Sequence, residues 1–133
     1  MAWLLDTHGL LWALFEPGKL GRRARAILED PAEEICVSPI SYWEISLKLG
    51  LGKLALPNTD PSEIPAAAAA LGLTECPLPS EVFATYHRLP YAPDHRNPFD
   101  CLLVWQALCG KQGLITRDKR LRFFAGEGLS VEW

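Results

Sequence analysis

The sequence predicts an α/β fold on a parallel sheet. Short apolar runs alternate with longer helical patterns along 133 residues, which is the signature of β-α units. Apolar residues make up 49% and charged residues 22%, a globular composition. A chain of this length hides roughly two-thirds of the surface its unfolded form exposes, so a single domain over 1–133 is expected.

In chain order, Ala2 to Leu5 reads as a strand, followed by helices over His8 to Phe15 and Arg22 to Glu29. Glu34 to Val37 is the second strand. Ser38-Pro39 then starts a helix to Leu49, with an N-cap residue before a proline at the first helical position. The helix over Pro61 to Ala70 is carried by the run Ala66 to Ala70, since alanine is the strongest helix former. Leu73 to Cys76 is a strand and Ser80 to Leu89 a helix. Asn97-Pro98 repeats the cap-and-proline start for a helix to Lys111. A strand at Gly113 to Thr116, a helix at Lys119 to Phe124 and a strand at Leu129 to Glu132 complete the order.

Several classes are disfavoured. No apolar run approaches the roughly 20 residues that span a bilayer. The segment from Met1 to Pro17 is greasy but carries Asp6 and His8 and has no positive leader, unlike a signal peptide. Cys36, Cys76, Cys101 and Cys109 are scattered with no C-x-x-C, so reduced cysteines buried as small hydrophobes in a cytoplasmic protein are expected. The formal charge of -3 gives no global nucleic-acid signature, leaving only a local basic patch for that purpose.

On this scaffold the acids fall in a pattern. Asp6 closes the first strand, and Asp118 lies two residues beyond the Gly113 to Thr116 strand. Glu44 sits in the second turn of the helix after the second strand, and Asp100 in the first turn of the helix opened by Asn97-Pro98. In a parallel sheet, strands end and the following helices begin at one edge, where open α/β folds bind ligands. Four carboxylates converging there would repel, and a hard divalent cation is the usual neutraliser. Mg²⁺ or Mn²⁺ is expected, because neither Cys nor His is clustered for zinc.

Taken singly, the acids have plainer roles. Asp6 and Asp118 suit helix caps, and Asp100 can complete a capping pair with Asn97. Glu44 is harder to dismiss, because Ile40, Glu44, Leu47 and Leu51 share one helical stripe facing the core. Its plainer role is an i, i+4 pair with Lys48. Carboxylate-bound Mg²⁺ suits phosphoryl chemistry. The chain has no G-x-x-x-x-G-K loop and no G-x-S-x-G elbow, so metal-assisted hydrolysis of a phosphodiester is the expected reaction.

Four blocks then carry a family resemblance: Leu4-Leu5-Asp6-Thr7-His8, Ser41-Tyr42-Trp43-Glu44-Ile45, His95-Arg96-Asn97-Pro98-Phe99-Asp100 and Leu114-Ile115-Thr116-Arg117-Asp118. In order and spacing the chain resembles PIN-domain ribonucleases, and among them the VapC-type toxins of bacterial toxin–antitoxin pairs. The resemblance covers essentially the whole chain. It implies a three-layer α/β/α sandwich around a parallel sheet and Mg²⁺- or Mn²⁺-dependent endoribonuclease activity on RNA. It also implies a homodimer and inhibition by a cognate antitoxin. Asp6, Glu44, Asp100 and Asp118 would form the acidic tetrad, with Thr116 in support.

The chain departs from that subgroup's common H-x-D-P-F-D-R. Asn97 replaces an acid and Cys101 an arginine, from which reduced activity is expected. His95 is expected to hydrogen-bond or touch RNA, and His8 invites a general-acid role that metal-activated water does not need. Arg117, Lys119, Arg120 and Arg122 surround Asp118 as either an RNA-phosphate patch or a solvated face. Arg22, Arg23 and Arg25 read as a solvated face, and Trp12 and Trp43 as liners of an antitoxin groove. The alternative function is a non-catalytic PIN-like module binding RNA or protein, with Asn97 as its mark. A metal-dependent phosphatase or DNA nuclease on the same scaffold is a further rival.

Overall fold

The computed structural model describes residues 1–133. Its strands are β1 (Ala2–Leu5), β2 (Glu34–Val37), β3 (Thr74–Glu75), β4 (Gly113–Ile115) and β5 (Val131–Glu132). They form one sheet in the order β3-β2-β1-β4-β5, with every pairing parallel. The α-helices are α1 (Thr7–Phe15), α2 (Arg22–Glu29), α3 (Pro39–Gly50), α4 (Ile64–Ala70), α5 (Ser80–Ala84) and α6 (Pro98–Cys109).

The three layers follow from strands that are apolar on both faces, as parallel sheets covered by helices must be. Successive side chains alternate sides. Trp3, Leu5, Ile35, Val37 and Ile115 enter one core with Leu10 of α1, Ala24 and Ile27 of α2, and Ile64 of α4. Leu4, Cys36 and Leu114 enter the other, with Leu103, Val104 and Ala107 of α6 and the later Leu121 and Phe124. Gly113 lets Trp3 lie flat against β4, since a Cβ there would meet the indole at 2.4 Å. No helix is long and apolar enough to cross a membrane.

The expected caps form. Ser38 accepts from the Ile40 N–H at the start of α3, and Asn97 accepts from the Phe99 and Asp100 N–H groups at the start of α6. Other elements are shorter than expected. The strands anticipated over Leu73 to Cys76 and Leu129 to Glu132 shrink to the edge strands β3 and β5, of two residues each. Short edges of this kind limit pairing with other chains. The Pro61 to Ala70 segment opens as a 3-10 turn at Pro61–Glu63, capped by Asp60. The Ser80 to Leu89 helix breaks at Thr85, whose hydroxyl donates to the Glu81 carbonyl and accepts from the Trp105 indole. Lys119–Glu127 is 3-10 helix, and its buried Leu121 and Phe124 fit that period of three.

Two expectations about burial are corrected. Cys36 and Cys76 are joined in a disulfide that ties β2 to the residue after β3, instead of being separate reduced thiols. The parallel β2–β3 register brings them together: Cys36 is opposite Thr74, and Cys76 follows two residues on. Cys101 is free and buried, whereas Cys109 is exposed. The stripe on α3 is buried only in its first half. Ile40 and Glu44 are 3% and 2% exposed, but Leu47 and Leu51 are 38% and 60% exposed, past the end of the core.

Candidate functional site

The chain reverses direction across the sheet between β1 and β4. From β1 it runs to β2 and β3 on one side, then crosses to β4 and β5 on the other. In open α/β sheets the crevice beyond the strand ends at such a switch point is where ligands bind. Asp6 directly follows β1, and its N–H donates to the Ile115 carbonyl at the end of β4, 3.1 Å away. Thr116 and Asp118 follow β4. Helix α6 brings Asp100 to the same place. The resulting cleft, of about 490 Å³, is lined by Asp6, His8, Trp12, Asp100, Thr116, Arg117, Asp118 and Arg120.

Each acid is held by its own local geometry. Asp6 caps α1: its Oδ1 accepts from the Gly9 N–H at 2.7 Å. Glycine gives this cap its room, because a Cβ at position 9 would lie 2.8 Å from that oxygen and 2.6 Å from Leu5 Cδ1. Asp118 caps the following 3-10 helix through the Arg120 N–H, and the Arg120 guanidinium grips both its oxygens at 3.0 and 2.9 Å. Thr116 Oγ1 accepts from the Asp118 N–H at 3.1 Å. Glu44 is buried on α3, with Lys48 Nζ one turn later bound to its Oε2. The Asp6 and Asp118 caps and the Glu44–Lys48 pair read from the sequence are present. Asp100, instead of completing a capping pair, gives its N–H to Asn97 Oδ1 and turns its carboxylate to His95.

His95 joins two of these acids. It is buried, with Nε2 3.0 Å from Asp100 Oδ2 and Nδ1 3.3 Å from Asp118 Oδ2. One ligand atom from each of the three residues lies within 4.8 Å of the others. Burial makes the cluster electrostatically tense. Desolvation pushes the Asp6 carboxyl up to about 6, against hydrogen bonds from Thr116 and the Gly9 amide and the charge of His8, with Asp100 adding to the rise. The Asp100 carboxyl is raised too, by burial and then by the charge of Glu44, despite His95. Asp118 goes the other way, held low chiefly by its hydrogen bond from Arg120.

The donor set fits a hard divalent cation. Apart from the His95 nitrogens it is all carboxylate oxygen, and Mg²⁺ and Mn²⁺ prefer oxygen. Glu44 Oε1 is buried with no hydrogen-bond partner, an anomaly that a cation would remove. Glu44 does not line the open cleft. It is the rear member of the group, felt at Asp100 through its charge.

The other residues singled out from the sequence are spread around the cleft. Thr116 touches Asp6 and Asp118, and Asn97 caps α6 without reaching the acids. Lys119 and Arg122 are exposed. Trp43 is exposed and edge-on to Phe99, and Trp12 stands at the cleft wall. Gly9 has no role assigned from the sequence, and Ser41 is marked there only as part of a family block. Gly9 is three residues after Asp6, the spacing at which a capping carboxylate meets an N–H, and that signal could have found it. Ser41 Oγ accepts from the buried Thr7 hydroxyl at 2.9 Å, linking α1 to α3, and nothing in the sequence announces it.

Comparison with known proteins adds the lineage. The PIN domain family model matches residues 3–127. A comparison with curated protein sequences finds no relative. Among solved structures, the chain is similar to VapBC2 from Rickettsia felis bound to a DNA fragment from its promoter. The TM-score is 0.69 at 18% identity, over 100% of this chain and 99% of that one. VapBC-1 from nontypeable Haemophilus influenzae gives 0.66 at 17% identity, covering 99% and 97% of the two chains. VapBC-5 from Mycobacterium tuberculosis, a member of the VapBC family of toxin–antitoxin systems, gives 0.55 at 18% identity, covering 98% and 95%.

Proposed function

The chain belongs to the PIN domain family, and from that premise we propose that it is a metal-dependent endoribonuclease, the toxin of a toxin–antitoxin pair. The observation that carries the reading is that Asp6, Asp100 and Asp118, from three separate segments, line one switch-point cleft, with buried Glu44 close enough to raise Asp100 and one of its oxygens unpartnered. VapBC structures of like fold support the toxin assignment. A cognate antitoxin and a second copy of the chain are the proposed protein partners, and the cytoplasm is the proposed location, a reducing compartment in which the Cys36–Cys76 bond would open.

In this reading the four carboxylates hold Mg²⁺ or Mn²⁺. Such an ion polarises a phosphate and lowers the pKa of water, supplying the nucleophile for phosphodiester hydrolysis. The chain's own residues set the stage. Gly9 and Thr116 orient Asp6, Arg120 orients Asp118, and His95 fixes the spacing of Asp100 and Asp118. Lys48 balances half of Glu44 and leaves its other oxygen for the cation. Lys119 offers an exposed charge to RNA near the mouth. Asn97 keeps its cap but lacks the carboxylate that related sequences place there, so the activity is reduced rather than absent.

The test is cleavage of a mixed RNA with Mn²⁺, comparing wild type with Asp6→Asn. Loss of cleavage in the variant and in chelator is expected. Equal cleavage by both proteins would assign the activity to a contaminant, and no cleavage by either would overturn the reading in favour of a binding module.

A further inference from the structure

Several cations near the acid cleft are already committed. Arg120 grips Asp118 and also donates to the Asp94 carbonyl at 3.2 Å. Lys48 is bound to Glu44, and Lys19 lies 2.9 Å from Glu16. Arg117 differs. It is exposed and lines the same cleft as Asp6, Asp100 and Asp118, yet it forms no salt bridge with any of them. Its guanidinium carbon instead stands over the Trp12 ring, 5.6 Å from the centroid. Trp12 is itself fixed, packed on Trp133 at 5.5 Å and on His8 at 5.7 Å.

An arginine held by a ring face keeps its planar fork of N–H donors unspent, and that fork matches the oxygens of a phosphate. The position also answers a need. A cleft lined by three carboxylates repels a polyanionic strand, and of its two lining arginines Arg117 is the one not paired with a carboxylate. We propose that Arg117, steered by Trp12, binds a backbone phosphate of the single-stranded RNA that occupies the acid cleft. The inference rests on the nuclease reading and gives the site its substrate anchor.

The experiment is fluorescence anisotropy of a labelled ten-nucleotide single-stranded RNA, with Ca²⁺ replacing Mn²⁺ so that binding is read without cutting. Arg117→Ala is expected to weaken binding about fivefold and to make the slope of log affinity against log salt shallower by about 0.7, the value of one phosphate contact on a single strand. Arg117→Lys restores the slope but not the full affinity, because the point charge lacks the fork. Trp12→Phe keeps an aromatic face and binds nearly as wild type. Lys111→Ala, at the far end of β4 from Thr116, changes neither quantity. Wild type and Arg117→Ala binding RNA with one affinity and one slope would overturn the inference alone. A ten-residue polyglutamate displacing the RNA with the same dependence on Arg117 would also overturn it, assigning the arginine to an acidic protein segment. Failure of the wild type both to bind this RNA and to cut RNA in Mn²⁺ would bring down the nuclease reading as well.

Discussion

His95 Nε2 lies 3.0 Å from Asp100 Oδ2, five residues on in the chain, while the other ring nitrogen faces Asp118. A buried ring with both nitrogens against carboxylates fixes the gap between α6 and the segment after β4. Residues that orient metal ligands are typically worth 10- to 100-fold in metal affinity. His95→Ala is therefore expected to weaken Mn²⁺ binding by roughly that factor, with His95→Gln intermediate. Titration calorimetry of Mn²⁺ into each protein is the check.

Asp6 makes stability depend on pH and on metal. Its carboxyl is raised to about 6 in the fold against 3.8 when free, so the folded state binds the proton more tightly than the unfolded one. The burden is full above about pH 6 and is relieved as pH falls through 6 towards 4, where stability rises. Asp100 acts in the same direction and Asp118 in the opposite one, so the difference between wild type and Asp6→Asn isolates Asp6. Without metal at pH 7.5, Asp6→Asn is expected to be more stable than wild type by about 2–3 kcal/mol, since Asn still caps α1. Saturating Mn²⁺ should reverse the order. Urea titrations at pH 5 and 7.5 read both effects.

Lys48→Met leaves Glu44 buried without its cation. Breaking a fully buried pair costs 3–5 kcal/mol, and with Lys48 partly exposed about 2 kcal/mol is expected. If Glu44 is a metal ligand, saturating Mn²⁺ shrinks the loss. A loss of the same size with and without Mn²⁺ would remove Glu44 from the metal site.

Gly9→Ala tests the cap itself. In an ordinary helix alanine is favoured over glycine by about 1 kcal/mol. Here the added Cβ collides with Leu5 and with Asp6 Oδ1, so the sign should invert. The variant is expected to be less stable and, because Asp6 must move, to lose most of its Mn²⁺ affinity. Melting curves with and without Mn²⁺ separate the two effects.

Reducing the Cys36–Cys76 bond opens a closed loop of 40 residues. Loop-closure entropy for that length is about 4 kcal/mol, which is the expected loss on treatment with a reductant. Paired urea titrations with and without reductant measure it.

Much of this was legible in the sequence. The apolar runs at β1, β2 and β4 stand where they were expected, because fully covered strands leave continuous hydrophobic stretches. The cap-and-proline starts at Ser38 and Asn97 are short-range chemistry and read directly. The edge strands and the 3-10 segment were harder to bound, since two-residue pairings and a period of three leave little pattern. Long-range relationships were hidden. Cys36 meets Cys76 only through the β2–β3 register, and His95 reaches Asp118 only because α6 packs across the sheet. Strand and helix order pointed Asp6, Asp100 and Asp118 to one edge and i, i+4 spacing paired Glu44 with Lys48, but the bridging of Asp100 and Asp118 by His95 could not be read.

Asp6 and Asp118 each begin a helix with a carboxylate oxygen, a task that an amide oxygen performs nearly as well. Negative charge and helix initiation are thus separable at these positions by exchanging an oxygen for a nitrogen. Under the nuclease reading, Asp6→Asn alone is expected to silence the cleft while α1 and the outer surface stay as they are. Asn97, already an amide at the head of α6, has that form. Under that reading, a chain built this way can lose its chemistry at a single atom and still keep the helix starts that shape its surface.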